Sequence, residues 1–361
     1  MAYQKIIIDI LSWWTNICLF PVLFVAKVTG HKEKMVQKLM ILICGKLEKQ
    51  IGCYLSFLYR EKYPDSRPGM KQGMNKEKIG IVMQGPLIRE NNFTVNTIKR
   101  YMNYSDNLSI IVSTWDDEDR AELDQIRAAG AVVVTSKKPE FAGNFNINYQ
   151  LVSTLAGIKK AVEFDCKYIC KTRTDQRIYG ETAFAFMMCL LKHYPAAAGG
   201  QRQRLIGLST EYGSMYKPYY ISDFLYFGQT EDIYKLFDIP LDERNIVRRK
   251  NSCQRAVEDE LIPEVYILRE YLKKTGAEYG VSVKDYWLFL RDRMILIDKS
   301  IIGLYWPKYE SRYCEHMRNG SYSTAHAHIS GFNFDFASWL CLYNGDLLYK
   351  EEYEKYLDLL M

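Results

Sequence analysis

The sequence contains no CxxC pair, although it carries nine cysteines, at 18, 44, 53, 166, 170, 189, 253, 314 and 341. An odd, scattered set in a long chain fits free thiols in a reducing compartment better than a disulfide framework. The main domain is therefore expected to be cytoplasmic. GxGxxG and the GK[ST] phosphate loop are also missing. Those glycines let the main chain approach phosphate, so a dinucleotide oxidoreductase and a P-loop NTPase are both disfavoured. No repeat and no low-complexity run occurs. The one apolar stretch near the N-terminus lacks a charged leader and a small-residue cleavage site, so it is a poor signal peptide. Strong charge of one sign is lacking as well. A net charge of +5 is too weak to argue for nucleic acid, and fits an anionic small substrate or a membrane surface.

What remains is globular. The chain has 361 residues, 48% apolar and 25% charged, enough for a large core and two structural units. Its 28 tyrosines suit either an aromatic core or sugar recognition.

Ile10 to Ala26 is uncharged and apolar, with Trp13, Trp14, Phe20 and Phe24, and lysines 27, 32, 34 and 38 follow. At 17 residues, interrupted by Pro21, it is at the lower limit for crossing a bilayer. Basic flanks and paired tryptophans suit an element lying in the membrane interface, so residues 6–28 are a candidate membrane contact, with a core helix as the alternative. Val36 to Leu58 has apolar residues at three- and four-residue steps and predicts a helix. The polar Tyr63 to Lys78 stretch, with two prolines and two glycines, reads as a linker.

From Ile79 the pattern changes. Strands are expected at Ile79–Gln84, Leu108–Thr114, Ala131–Thr135 and Tyr168–Thr172, with helices between them at Thr94–Tyr101, Glu118–Ala129 and Asn148–Glu163. That alternation implies βαβ units and a mostly parallel sheet. Further helices are expected at Glu181–His193, Thr230–Phe237, Pro263–Lys274 and Lys284–Asp292. The expected domains are a helical extension with linker at 1–77, an α/β domain at 78–300 and a packed tail at 301–361.

The densest signal is Tyr168-Ile169-Cys170-Lys171-Thr172-Arg173-Thr174-Asp175-Gln176-Arg177. Charges of both signs at the end of a buried strand are costly unless they bind something, and the carboxyl ends of strands in open α/β sheets are where ligands sit. Asp175 and its neighbours are therefore expected to hold the ribose-diphosphate part of an activated sugar. The competing reading is a structural ion pair such as Arg177 with Asp175. Gln84-Gly85-Pro86 and Thr114-Trp115-Asp116 end two other strands and are further donor-site candidates. Asp116 and Asp117 are alternatively caps for the next helix. Asp223, beside aromatics, and Glu264, after Pro263, are candidate catalytic bases. A turn cap and an ordinary helix-terminal acid are their respective alternatives. The basic run Arg244, Arg248, Arg249, Lys250 and Arg255 reads best as a solvated loop. Cys314-Glu315-His316 with His326-Ala327-His328 matches no zinc pattern.

Taken in order, QGP (84–86), STW (113–115), RTDQR (173–177), Ser222-Asp223 before Phe227-Gly228, and Pro263-Glu264 resemble the WavE lipopolysaccharide synthesis family over about 79–274. The resemblance implies an α/β, type-A glycosyltransferase-like fold with an N-terminal helical extension. It also implies a nucleotide-sugar donor, and a lipopolysaccharide or capsular glycan acceptor, free or lipid-linked, at the inner face of the bacterial cytoplasmic membrane. Type-A transferases usually place Asp-x-Asp where this chain has Arg173-Thr174-Asp175. Mn2+ or Mg2+ on Asp175 is thus in doubt, and a guanidinium can itself neutralise a diphosphate. Two rivals stay open: a nucleotide-sugar-binding protein without transfer activity, and a membrane scaffold of an assembly complex.

Overall fold

Short apolar runs set between amphipathic segments form parallel strands with covering helices. The structure, a computed structural model, describes residues 12–21, 24, 28, 32–52, 54–55, 60–63, 77–197, 199–209, 215–244, 258–260, 262–307 and 334–357. Strands β1 (Ile79–Gln84), β2 (Leu108–Trp115), β3 (Val132–Ser136) and β4 (Tyr168–Arg173) lie in the order β3-β2-β1-β4, all parallel. Helices α1 (Phe93–Met102), α2 (Arg120–Ala128) and α3 (Ile147–Glu163) connect them. A two-residue strand β5 (Arg177–Ile178), helix α4 (Ala183–His193) and strand β6 (Leu205–Leu208) follow.

The sheet then changes direction. Strand β7 (Ser222–Gln229) runs antiparallel to β4, β6 is antiparallel to β7, and β8 (Met294–Ile297) is parallel to β6. The result is one seven-stranded, mostly parallel sheet, β3-β2-β1-β4-β7-β6-β8. Helices α5 (Thr230–Phe237), α6 (Pro263–Thr275), α7 (Val283–Arg293) and α8 (Phe336–Asn344) complete the order, and β9 (Leu304–Tyr305) forms a small ribbon with β5. This is the mostly parallel α/β sheet that the alternating pattern implies, in the type-A transferase-like architecture that the family resemblance implies. The reversal at β7 is not in that pattern, because strand direction depends on how the chain returns to the sheet.

Local chemistry fixes the element ends. Asp119, not Asp116 or Asp117, caps α2, accepting from Glu122 N at 3.1 Å. Proline opens α6, and Gly276 at φ +61° closes it. Helix α3 buries Ile147, Leu151, Thr154, Ile158 and Ala161, one apolar face at alternating steps of four and three. That face lies on β1 and β2. The contact is close because Gly157 has no side chain. A Cβ there would come within 2.5 Å of Val82 Cγ1 and 3.1 Å of Ser113 Cβ. Many of the tyrosines serve the core, and Tyr101, Tyr219, Tyr226, Tyr271 and Tyr286 are fully buried.

Residues 1–60 and 61–361 are separate compact units. In the first, residues 12–21 and Lys32–Ile51 are helical. Among the described residues no helix is long and apolar enough to cross a membrane. Much of the expected contact at 6–28, all of the basic run beyond Arg244, and both segments considered for zinc lie outside the described residues. Arg244 itself is a latch. It donates to Asp242 at 2.7 Å and to the carbonyls of Asp259 and Glu260.

The close approach at Gly157 gives a direct test of the packing. Gly157→Val is expected to destabilise the fold by about 1–3 kcal/mol, read as a lower midpoint in urea unfolding with unchanged m-value.

Candidate active site

Parallel pairing in register brings three strand ends to one edge. Gln84 stands opposite both Ser113 of β2 and Arg173 of β4. Because β7 is antiparallel and pairs Tyr226 with Lys171, its first residues, Ser222 and Asp223, reach that same edge. Helix α6 packs on β7 and brings its first turn, with Glu264, to the carboxylate of Asp223. The motifs that are far apart in sequence thus meet at the carboxyl ends of β1, β2 and β4.

The loops there are tied by main chain. Gly85 N donates to Ser113 O at 3.0 Å, and Thr174 N donates to Gln84 O at 3.1 Å. Thr174 Oγ1 donates to Pro86 O at 2.6 Å. Gly85 has φ +116°, which favours glycine. The Gln84 side chain faces α3, where its Oε1 accepts from Ser153 Oγ at 3.1 Å. Thr114 is buried, Trp115 packs edge-on against Tyr149, and Asp116 is exposed. Glu118, which sequence reasoning passed over, links two of the loops. It accepts from Leu87 N at 3.0 Å and pairs with Arg89 at 2.9 Å.

The two arginines of the 173–177 block have different fates. Arg173 makes a two-bond fork with Asp175, Nε to Oδ1 at 2.8 Å and Nη2 to Oδ2 at 3.0 Å. Its guanidinium lies 5.3 Å from the Trp306 ring, and Trp306 meets Phe224 edge-on at 4.3 Å. Arg177 is 1% exposed and turned inward. It donates to Thr97 Oγ1, Tyr179 OH and the carbonyls of Phe93, Glu61 and Lys62, and it sits 4.4 Å from the Phe93 ring. Two expectations are corrected by this. The ion pair to Asp175 comes from Arg173, and Arg177 is a structural clamp with no guanidinium face at the strand edge. Gln176 is buried too, its Oε1 accepting from Thr172 Oγ1 at 3.3 Å.

Beneath this edge lies a charge cluster. Lys171 is fully buried and its ammonium donates to the main-chain carbonyl of Asp223. Burial pulls Lys171 down to about 8, although Asp223, Asp175 and Glu264 all favour its charged form. Burial, then the charge of Asp223, push the Glu264 carboxyl up to about 8, with Lys171 opposing. Glu264 is half-buried as a residue. Asp223 is not the turn cap here, since Ser222 Oγ takes that role by accepting from Phe224 N at 3.3 Å. Lys171 belongs to the candidate site. Its signal in the sequence was a lysine inside an apolar strand.

This donor set does not suit a divalent cation. Both Asp175 oxygens are engaged by Arg173. Among the described residues no group of three or more His, Cys, Asp or Glu side chains could hold a metal. A shallow cavity of about 510 Å³ lies elsewhere, at the C-terminal end of α6, lined by Arg269, Lys273 and Tyr279 among others.

The raised Glu264 carboxyl fixes the sign of a pH effect. A carboxyl that holds its proton more tightly when folded adds stability fully present below pH 4.5, and lost as pH rises through about 8. Thermal unfolding of Glu264→Gln is therefore expected to gain on wild type steadily from pH 5 to 8. Parallel curves would contradict the buried placement.

Several solved structures are similar in part. One is a cytidylyltransferase from Leptospira borgpetersenii, at 12% identity and TM-score 0.29, covering 46% of this chain; the chain spans 66% of that protein's length. Another is a CMP:2-keto-3-deoxy-manno-octonic acid synthetase, at 8% identity and TM-score 0.34, covering 56% of this chain and 87% of that one. A third is mouse xyloside xylosyltransferase 1, at 7% identity and TM-score 0.30, covering 62% of this chain and 86% of that one. At such scores the likeness carries no argument about chemistry. No curated protein matches the sequence. The family model described as WavE lipopolysaccharide synthesis matches residues 79–358, so the family extends through the tail, beyond the 79–274 span of the motifs. The chain belongs to the WavE lipopolysaccharide synthesis family.

Proposed function

We propose that the protein is a glycosyltransferase that moves a sugar from a nucleotide-sugar donor to a hydroxyl of a lipopolysaccharide or related surface glycan. The observation that carries this reading is the meeting, at one sheet edge, of the Arg173–Asp175 fork with the Lys171, Asp223 and Glu264 cluster. Family membership supplies the biological setting.

In this reading the acceptor oxygen attacks the anomeric carbon of the donor sugar. The bond from that carbon to the diphosphate oxygen breaks, and its electron pair leaves with the nucleoside diphosphate. Arg173, oriented by Asp175 and by contact with Trp306, meets the negative charge that grows on the leaving group. The acceptor proton passes to a carboxylate. Glu264 is the preferred base, because a carboxyl raised toward the working pH exchanges its proton most effectively. Asp223 is the neighbouring carboxyl, and Lys171 lies beside the pair, both of which favour its charged form. Gln84, Gly85, Pro86, Thr114, Trp115 and Asp116 form the surrounding donor-side wall. No step is routed through a metal, since Asp175 is already committed to Arg173.

Three measurements test this. In a panel of nucleotide sugars, at least one member is expected to raise the melting temperature and to be turned over. Glu264→Ala is expected to cost about 10²–10⁴-fold in turnover with donor binding retained. Asp223→Asn should also lose turnover. Unchanged glycan product from both variants would move the protein to the non-catalytic, nucleotide-sugar-binding reading. Turnover is also expected to survive a chelator. Full loss with EDTA, restored by Mn2+, would overturn the arginine-only account of the diphosphate.

A further inference from the structure

Charge and exposed apolar surface are concentrated in the same part of the chain. Residues 1–60 hold eight Lys and Arg against three Asp and Glu, while the whole chain holds 48 and 43. The unit from 61 to 361 therefore holds forty of each and is neutral, so the first unit carries the entire net charge of +5. Its described helices also expose large apolar side chains. Trp13 is 61% exposed, Trp14 56%, Phe20 70% and Phe24 59%. Leu42, within the helix Lys32–Ile51, is 64% exposed. Lys34, Lys38, Lys46 and Lys49 are exposed on that same helix.

A cluster of exposed aromatic rings is costly in water, and in soluble proteins it marks an interaction site. Tryptophan and lysine together narrow the partner. Indole rings settle at the headgroup level of a bilayer, and lysine stems reach past apolar contacts to place their charge beside phosphate. A second copy of the chain is a poorer occupant, because a two-fold contact through this surface would set basic patches against each other. Among the described residues no helix is long and apolar enough to cross a membrane.

We propose that the first unit docks the protein onto an anionic phospholipid surface, with Trp13, Trp14, Phe20 and Phe24 entering the headgroup layer and Lys34, Lys38, Lys46 and Lys49 pairing with lipid phosphates. The proposal stands apart from the transfer chemistry, which lies in the second unit.

The test uses the full chain and two kinds of vesicle, one of phosphatidylcholine and one also carrying phosphatidylglycerol. The protein is expected to sediment with the anionic vesicles, much less with the zwitterionic ones, and to be released by salt. Lys34→Glu with Lys38→Glu should weaken binding by roughly fivefold or more per lysine. Trp13→Ala with Phe20→Ala should weaken it as well, and both double variants should keep wild-type nucleotide-sugar binding and circular dichroism. Lipids brominated near the headgroup should quench wild-type tryptophan fluorescence, and a Trp13→Phe, Trp14→Phe variant should lose that quenching. Failure to sediment with either vesicle, or binding untouched by both double variants, overturns the proposal. A dimer by light scattering that the Trp13→Ala, Phe20→Ala variant dissolves would assign the surface to a second copy instead.

Discussion

Lys171 is an ammonium group sealed in the interior, and the site is organised around keeping it there. Removing such a group from water costs several kcal/mol unless opposite charge is close. Here a carbonyl takes its hydrogen bond, and Asp223, Asp175 and Glu264 supply the field. Arg173 is forked to Asp175, so Lys171 faces the carboxyls of Asp223 and Glu264 in a medium that screens poorly. Burial first, and then the charge of Asp223, make the ionised form of Glu264 costly, which is why its carboxyl is pushed up. A group that gains and loses a proton near neutral pH, without large rearrangement, is what acceptor deprotonation requires.

The fold makes this cluster possible by reversing one strand. Parallel strands β1, β2 and β4 bring only their carboxyl ends to the edge. Antiparallel β7 adds its first residues to the same edge, and α6, lying against β7, adds its first turn. Above them, residue 306 from the end of the β9 ribbon covers Arg173 with an indole ring. The tail is thus part of the site, consistent with a family match that runs to residue 358.

Periodicity made most elements legible. Strands β1 to β4 and helices α1 to α3 stand within one or two residues of their expected ends, because buried strands and amphipathic helices write distinct apolar patterns. The strand-end motifs were legible as a set, and Asp223 and Glu264 lie close enough for the charge of one to act on the other. The roles of individual charges were less so. Arg173 and Arg177 look alike in the sequence, four residues apart. The turn at 174–176 sends one toward the edge and the other into a cage of carbonyls. Trp306 lies more than a hundred residues from Arg173, and no local pattern links them. Capping by Asp119 instead of Asp116 or Asp117 turns on a shift of two or three residues, which propensity does not resolve.

The central claim is that the diphosphate of a nucleotide sugar sits against Arg173, with Asp223 and Glu264 beyond it. A crystal structure of the protein with a bound nucleoside diphosphate addresses this most directly. Diphosphate oxygens are expected within hydrogen-bond distance of the Arg173 guanidinium, with Arg177 still locked to its carbonyls. A nucleotide held away from Arg173, for instance in the cavity at the far end of α6, would contradict it.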